Sequence, residues 1–385
     1  MRIVILGCNG GTDISFGGGA YVVAAMAHSL ELKGHEVYLL SVLGLDRARL
    51  TKLHGWPLNS NVKVSCLFDA ARGLRIPHIV ALRMVGSFAD LIASIKPDVV
   101  ICHDDIPAAL NRTFRKIGAF VVVYVHLSYR TRLAYPRLLF SATEWSTPET
   151  FVNAIGLRMT LSSLGEADAI LANSKATAAV TRAVAGNVSI QVLNPPLLPS
   201  YRTTQSTQKT RAICLHAARQ DRSFLGTELL EFIIESGKSC PDRVIVVNRN
   251  KSRPIAAASH KGPNVKAFTS LPAPLWRTLL QKTKYYLHFR WFEGFGISTA
   301  EAVANGAVPI VYRSPFNGSA TDVVNPFVAQ CSFKAVREAV SILEGFENDS
   351  RKYDEISYAL KEKLIRDLDF DLFSDGVNLA VGGRR

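Results

Sequence analysis

The sequence lacks several features that would assign it to a special class of protein. Its six cysteines form no C-x-x-C pair, so we expect reduced thiols rather than a zinc site or a disulfide framework; they are Cys8, Cys66, Cys102, Cys214, Cys240 and Cys331. The longest apolar run near the middle, residues 119–125, is long enough for a buried strand and too short to cross a membrane. Residues 1–7 show no cationic leader or cleavage site, so we do not expect secretion.

No block of like charges is present, although the formal net charge is +13. Basic residues are not interleaved with aromatic ones in a repeated pattern, so the sequence does not predict a nucleic-acid partner. A diffuse positive field fits a polyanionic substrate or an anionic membrane surface. Ordinary solubility charge explains it equally well.

The dinucleotide-binding fingerprint is also missing from the glycine-rich loop that follows the first predicted strand. Gly17 and Gly19 are followed by Val22, where G-x-G-x-x-G requires a third small residue. A dinucleotide-dependent dehydrogenase is therefore disfavoured. Because the loop precedes a predicted helix, its N–H groups either hold a phosphate or simply belong to a turn.

Strand and helix patterns alternate almost throughout the chain, which at 385 residues is too long for one ordinary core. The alternation predicts an α/β protein with two doubly wound domains facing a cleft, and ligands at the carboxyl ends of the strands. We predict an N-terminal domain over residues 1–197, a linker over 198–211 and a C-terminal domain over 212–368. Residues 369–385 are predicted to form a C-terminal tail. One arrangement for this tail is packing against the N-terminal domain.

The patterns also assign the individual elements. Strands are predicted over residues 3–6, 98–102, 120–125, 169–172, 190–193, 212–216, 244–247, 265–268, 285–290 and 308–312. Helices are predicted over residues 17–30, 227–235, 274–282, 333–343 and 353–368.

The most informative segment places two carboxylates, Glu293 and Glu301, on either side of a glycine turn. A strand precedes the turn and a helix follows it, which is a geometry suited to an anion at the helix N-terminus. The carboxylates suit hydroxyl groups, which donate to an anionic acceptor. Phosphate together with hydroxyls indicates a sugar nucleotide. The alternative is a capping box, in which Glu301 bonds back to the helix start near Ser298, with Glu293 as a solvated charge.

Two histidines end neighbouring strands of the predicted N-terminal sheet. His126 follows the strand 120–125, where it either bonds a sugar hydroxyl or a leaving oxygen, or is satisfied by a backbone carbonyl. His103 is followed by Asp104 and Asp105, which suggest a metal or an acceptor-orienting base, or an ordinary helix N-cap.

Further candidates lie after strands of the predicted C-terminal domain. Arg219 and Arg222 follow the strand 212–216 and can neutralise a diphosphate without a metal. Asn317 and Gly318 follow the strand 308–312, where they either aim N–H groups at the same phosphates or form a plain turn.

With these residues in place, the chain resembles the retaining glycosyltransferases of the GT-B fold, family 4. The Glu293–Glu301 pair matches the paired-glutamate motif of that family in its spacing and its Glu-Gly-Phe-Gly start. Other matches occur in order along the chain: the Gly17–Gly19 loop, Gly34-His35-Glu36-Val37, His126, Asn173-Ser174-Lys175, Asn194-Pro195-Pro196 and residues 304–310. Residues 124–126 with the Asn-Pro-Pro segment look similar to mannosyltransferases that extend lipid-linked oligosaccharides.

The resemblance implies a role for each matched residue. Glu301 would bind the ribose hydroxyls, Glu293 would bind hydroxyls of the donor sugar near the reacting carbon, and His126 would contact the transferred sugar. The remaining donor-binding positions, which would hold the diphosphate, are Arg219, Arg222, Gly18, Gly19, Gly294, Phe295, Gly296 and Ile297. Acceptor or membrane contact is expected near Asp104, Arg130 and Arg132. The expected reaction moves a hexose from a nucleoside-diphosphate sugar to a lipid-linked or polysaccharide hydroxyl, without a metal or other cofactor, at the cytoplasmic membrane face.

The sequence departs from the family pattern at the diphosphate site. Leu225 precedes Gly226 where relatives carry a lysine, and residues 248–253 replace a turn that usually contains glycines. Arg222 is the residue that can supply the missing charge. The alternative function is therefore a catalytically weakened nucleotide-sugar-binding or assembly protein of the same fold, and a nucleotide-sugar epimerase is a third option.

Overall fold

A computed structural model divides the chain into two units, each built on a parallel sheet. It describes residues 1–7, 18–43, 47–68, 86–103, 108–126, 164–186, 188–202, 209–217, 243–248, 265–269, 271, 273–290 and 293–383. Unit 1 consists of Met1–Pro196 and Phe370–Arg385, and unit 2 of Leu197–Asp369.

Unit 1 is organised around a seven-stranded parallel sheet in the order β3-β2-β1-β4-β5-β6-β7. Strand β1 pairs with β2 on one side and β4 on the other, and its residues Ile3 to Leu6 are at most 1% exposed. Such strands are apolar along their whole length because helices cover both faces of a parallel sheet. The strands are β1 (Arg2–Gly7), β2 (Glu36–Leu43), β3 (Lys63–Phe68), β4 (Val99–His103), β5 (Phe120–Val125), β6 (Ala169–Ala172) and β7 (Gln191–Val192).

The described helices of this part of unit 1 connect those strands. They are α1 (Gly18–Leu32), α2 (Arg47–His54), α3 (Ala89–Ile95), which follows the 3₁₀ turn Gly86–Phe88, α4 (Ala108–Lys116) and α5 (Lys175–Ala185). Ser174 caps α5 by accepting a hydrogen bond of 2.9 Å from the Thr177 N–H.

Unit 2 contains a six-stranded parallel sheet in the order β10-β9-β8-β11-β12-β13. Its strands are β8 (Thr210–Ala217), β9 (Arg243–Asn248), β10 (Val265–Thr269), β11 (Thr283–His288), β12 (Val308–Tyr312) and β13 (Ser332–Phe333). The helices are α6 (Ala273–Lys282), α7 (Ile297–Ala304), α8 (Val328–Cys331), α9 (Val336–Asn348) and α10 (Ser350–Asp367), with a 3₁₀ turn at Pro199–Tyr201 and a π-helical turn at Ser319–Val323.

The last helix, α11 (Phe370–Gly382), returns to unit 1 and packs against α1. The Ser29 hydroxyl donates to the Ser374 hydroxyl at 2.8 Å within this contact. The Phe370 ring lies 5.4 Å from the His28 ring and 4.9 Å from the Trp56 ring, measured between centroids. The apolar face of α11 is therefore part of the unit 1 core. None of the described helices combines the length and the apolar character that a membrane span requires.

The structure corrects some element boundaries. The predicted strands 120–125, 169–172 and 308–312 match β5, β6 and β12 to the residue. Phe333, predicted to begin a helix, instead ends β13, because it pairs in parallel with Tyr312 and is completely buried. Strand β8 begins at Thr210, inside the predicted linker, because Thr210 pairs with Thr283 of β11. The predicted helix 227–235 lies outside the described residues.

Candidate functional site

The glycine turn between β11 and α7 is fixed by its own backbone geometry. Gly296 is the N-cap of α7 and has a φ of +84°, a conformation that residues with a side chain rarely adopt. An added Cβ would also collide with the Ser319 hydroxyl, which is bonded to the Thr299 hydroxyl at 3.1 Å. Glycine at this position therefore sets where the helix begins.

Asn317 holds the turn from the neighbouring strand. It is completely buried, and its side-chain amide donates to the carbonyls of Arg290 at 2.7 Å and Tyr312 at 2.9 Å. The Gly318 N–H donates to the Glu293 carbonyl at 2.8 Å, and the Ser319 N–H donates to the Asn317 side-chain oxygen at 2.9 Å. The suggestion that Asn317 and Gly318 aim N–H groups at phosphates is wrong, since these groups are used to hold the turn.

Glu293 lies in a positively charged setting. Its Oε2 atom is 2.5 Å from the Arg290 guanidinium and 3.5 Å from Nε2 of His288, a residue that is 3% exposed. Burial by itself would raise the pKa of the Glu293 carboxyl, but the Arg290 charge and the His288 contact outweigh it and hold the pKa well below its usual range. Glu293 is therefore a permanent carboxylate at neutral pH.

Glu301 is held by two aromatic donors. The Tyr201 hydroxyl donates to Oε1 at 3.1 Å, and the Trp276 Nε1–H donates to Oε2 at 2.9 Å. Burial raises the pKa of the Glu301 carboxyl, and these hydrogen bonds together with the Arg277 charge offset only part of that rise. The capping-box alternative is wrong, because Gly296 is the N-cap and the Ser298 hydroxyl accepts from Tyr286 at 2.8 Å.

The turn itself offers N–H groups to an anion. The Gly294 N–H donates to Oε1 of the adjacent residue Glu293 at 3.1 Å. The N–H groups of Gly296 and Ile297 have no acceptor in the part of the chain that the structure describes. The Phe295 side chain is 3% exposed, so this residue can meet a ligand only through its backbone. The unpaired N–H groups and the positive end of the α7 dipole point to an anion.

Comparisons with known proteins identify the fold. Residues 16–196 match the model of Glycosyltransferase Family 4, and no curated protein matches the chain significantly. Sucrose-phosphate synthase from Thermosynechococcus elongatus is similar with a TM-score of 0.73 at 13% identity, over 98% of this chain and 97% of that one. HepE from Anabaena, solved with UDP and glucose, has a TM-score of 0.67 at 14% identity over the full length of both chains. WaaG, a glycosyltransferase involved in lipopolysaccharide biosynthesis, has a TM-score of 0.69 at 13% identity over 99% of this chain and all of the other.

The chain has the GT-B fold, and its residues 16–196 are similar to Glycosyltransferase Family 4. The predicted fold class, α/β with two Rossmann-like domains, is thereby confirmed. The family segment ends at residue 196, which is also where the first stretch of unit 1 ends.

In unit 1 of this GT-B protein, His103 and His126 form a hydrogen-bonded pair at the carboxyl edge of the sheet. Nδ1 of His103 lies 3.0 Å from Nε2 of His126, and the rings are stacked with centroids 5.3 Å apart. Burial lowers the pKa of His126 to about 4 and holds that of His103 well below its usual range, with the His126 charge adding to the effect on His103. Both rings are neutral at pH 7, so one nitrogen of the pair donates and the other accepts.

Gly18 and Gly19 are the first two residues of α1, so their N–H groups lie at a helix N-terminus, as the sequence predicts. Their proposed contact with a diphosphate stays a prediction. The remaining predicted site residues, Arg219, Arg222, Asp104, Arg130 and Arg132, lie outside the described residues. Among the residues that are described, no three or more His, Cys, Asp or Glu side chains are grouped as metal ligands would be.

The candidate site contains four side chains that the sequence did not indicate. Arg290 and His288 lie within five residues of Glu293, so their proximity was a usable signal. Tyr201 and Trp276 are far from Glu301 in sequence, and only the fold brings them to its carboxylate.

Proposed function

We propose that this GT-B protein is a retaining glycosyltransferase. It transfers a hexose of the mannose or glucose type from a nucleoside-diphosphate sugar to a hydroxyl of a lipid-linked or polysaccharide acceptor, and it needs no metal. The observation that carries the proposal is the glycine turn of unit 2. There the N–H groups of Gly296 and Ile297, which have no acceptor among the described residues, stand with the carboxylates Glu293 and Glu301. The complex of HepE with UDP-glucose makes UDP the first nucleotide to test.

The chemistry follows from the charges on this turn. As the bond between the anomeric carbon and the diphosphate oxygen breaks, its electron pair stays on the diphosphate. The acceptor oxygen forms the new bond, and its proton leaves with the diphosphate. The N–H groups of Gly296 and Ile297 and the α7 dipole stabilise the growing negative charge, with Arg219 and Arg222 as further contributors. Glu293, kept ionised by Arg290, accepts hydrogen bonds from sugar hydroxyls.

The first experiment measures metal-free binding of UDP, GDP and ADP by calorimetry, with the parent chain and Glu301→Ala. Clear binding of one nucleotide, weakened at least about 10-fold in the variant, supports the ribose assignment, because a hydrogen bond to a charged group contributes about 1.5–3 kcal/mol. Exposed Glu355, which pairs with Arg351 on α10, gives the matched control Glu355→Ala. Absence of binding by all three nucleotides contradicts the proposal.

A catalytically weakened nucleotide-sugar binder is the second candidate. The observation in its favour is the close ion pair of Arg290 with Glu293, which occupies one side of the carboxylate, together with Leu225 in place of a lysine. Donor hydrolysis separates the two functions. A transferase releases some sugar to water and loses this activity in Glu293→Ala, whereas a pure binder releases none.

The proposed acceptor places the protein at the cytoplasmic membrane face as a peripheral protein. The positive net charge of +13 and the cluster containing Arg130 and Arg132 support this location. Sedimentation with anionic vesicles tests it. Binding that is equal for neutral and anionic vesicles contradicts an electrostatic contact.

A further inference from the structure

Two aromatic side chains from separate parts of unit 2 converge on the Glu301 carboxylate. Tyr201, from the 3₁₀ turn before β8, is 2% exposed, and Trp276, from α6, is 9% exposed. The Trp276 ring packs edge-on against Tyr286 at 6.3 Å, and the Arg277 guanidinium lies 4.8 Å above the Tyr201 ring. Because packing fixes both rings, their two donors fix the plane of the carboxylate.

The bonds that Tyr201 and Trp276 make leave a definite acceptor capacity on Glu301. An ionised carboxylate offers about four lone-pair sites, two on each oxygen. One site on Oε1 accepts from Tyr201 and one on Oε2 accepts from Trp276. Within the described residues no other donor bonds this carboxylate, so one site remains on each oxygen. Two parallel acceptor sites match two adjacent hydroxyl groups.

We propose that Tyr201 and Trp276 are positioning residues that orient the Glu301 carboxylate to accept both hydroxyls of a vicinal diol, so that the site selects ribonucleotides over nucleotides without the diol. This inference rests on the proposed function, in which Glu301 binds the ribose. It goes beyond that function by assigning the residues that prepare Glu301 and the selectivity that results.

The charge state of Glu301 gives this role a measurable signature. Burial favours the neutral acid, and the hydrogen bonds from Trp276 and Tyr201 and the charge of Arg277 favour the carboxylate. Of the other groups around α7, the Tyr286 hydroxyl bonds Ser298, and Lys363 of α10 bonds the Asp322 carbonyl. Removing one aromatic donor should therefore shift Glu301 toward the neutral acid, which accepts fewer hydrogen bonds.

The test measures nucleotide binding by calorimetry between pH 5.5 and 8.5 in Tyr201→Phe and Trp276→Phe. We expect affinity to fall in both variants, and to fall more at the acid end of this range than at the alkaline end, because loss of a donor favours the neutral acid. Tyr353→Phe is the matched control. Its buried hydroxyl bonds the Lys284 and Gly306 carbonyls and interacts with Ser357 rather than with Glu301, so this variant should keep the parent profile. A parent-like pH profile in both donor variants overturns the inference.

A second measurement compares UDP with its 2′,3′-dideoxy form. The parent should prefer the ribonucleotide, and Glu301→Ala should bind both forms alike. Equal affinity of the parent for both forms overturns the diol assignment. If Glu301→Ala binds the ribonucleotide as tightly as the parent, the proposed ribose site itself is wrong. If Glu301→Ala weakens binding while both aromatic variants behave as the parent at every pH, only the positioning role is wrong.

Discussion

Replacing Gly318 with alanine should displace the glycine turn that carries Glu293. The backbone of Gly318 has φ −60° and ψ −29°, which alanine adopts readily, so space alone decides the effect. An added Cβ would overlap the Gly294 carbonyl oxygen and lie 2.7 Å from the Phe295 Cα. Ordinary contact begins at 3.4 Å, so the turn must move by about 0.7 Å or more. These neighbours are backbone atoms, so no side-chain rotation relieves the overlap.

The magnitude follows from that displacement. Overpacking of this kind typically costs about 1–3 kcal/mol of unfolding free energy. A misplacement near 1 Å at a reacting centre lowers rates by about 10²-fold. We therefore expect Gly318→Ala to destabilise unit 2 moderately and to lose most donor hydrolysis at a temperature where it is still folded.

The assay combines denaturant unfolding with donor hydrolysis. Gly345→Ala is the matched control, because nothing lies within 4 Å of its added Cβ and the residue is inside α9. It should be stabilising by about 0.5–1 kcal/mol and keep the parent rate. If Gly318→Ala unfolds and hydrolyses donor like the parent, the contacts assigned to this turn do not constrain it.

Two further predictions concern buried charges of unit 2. In Arg290→Met, the guanidinium no longer opposes the effect of burial, so the pKa of Glu293 rises and donor hydrolysis should fall as the pH is lowered. A pH–rate profile measures this fall, with the exposed substitution Arg351→Met as the control. Identical profiles for the parent and Arg290→Met would refute the role of Arg290. Burial, together with the Lys361 charge, lowers the pKa of Lys209 from 10.5 to about 7. Between pH 7 and pH 10.5 the unfolded state therefore binds more protons than the folded state, so the free energy of unfolding should rise with pH across that range. Lys209→Met should remove up to about 1.4 kcal/mol of this rise per pH unit in denaturant unfolding, and an unchanged slope would contradict the burial of a neutral amine.

Several parts of the fold could be predicted because local sequence and tertiary environment agree. Residues 120–125 are apolar throughout and β-branched at four of the six positions, and they form the buried strand β5 with the predicted bounds. Phe333 shows the opposite case. Its position before a helical pattern suggested a helix, but pairing with Tyr312 placed it in a strand, and such pairing is not encoded locally. Helix α11 repeats buried residues at Phe370, Phe373 and Val377, a helical spacing that the sequence already contained.

The candidate site also has one part that could be predicted from the sequence and one part that could not. The spacing of Glu293 and Glu301 indicated two carboxylates around a helix start, and that arrangement is present. The partners of Glu301 could not be found by spacing, since Tyr201 is a hundred positions away and the fold alone brings it near. Ser298 and Glu301 satisfied the capping-box pattern, but Gly296 occupies the cap because it can adopt a positive φ.

The return of α11 to unit 1 has a consequence for how the protein is made. During synthesis, the surface of α1 around Ser29 emerges early, but its partner Ser374 emerges only after all of unit 2. The two residues are 345 positions apart, so at ordinary translation rates the delay is roughly 17–70 s. Throughout that interval the nascent unit 1 lacks the helix that carries Phe370 and Phe373, which are buried in the finished protein, so part of its apolar core stays exposed to solvent until synthesis ends.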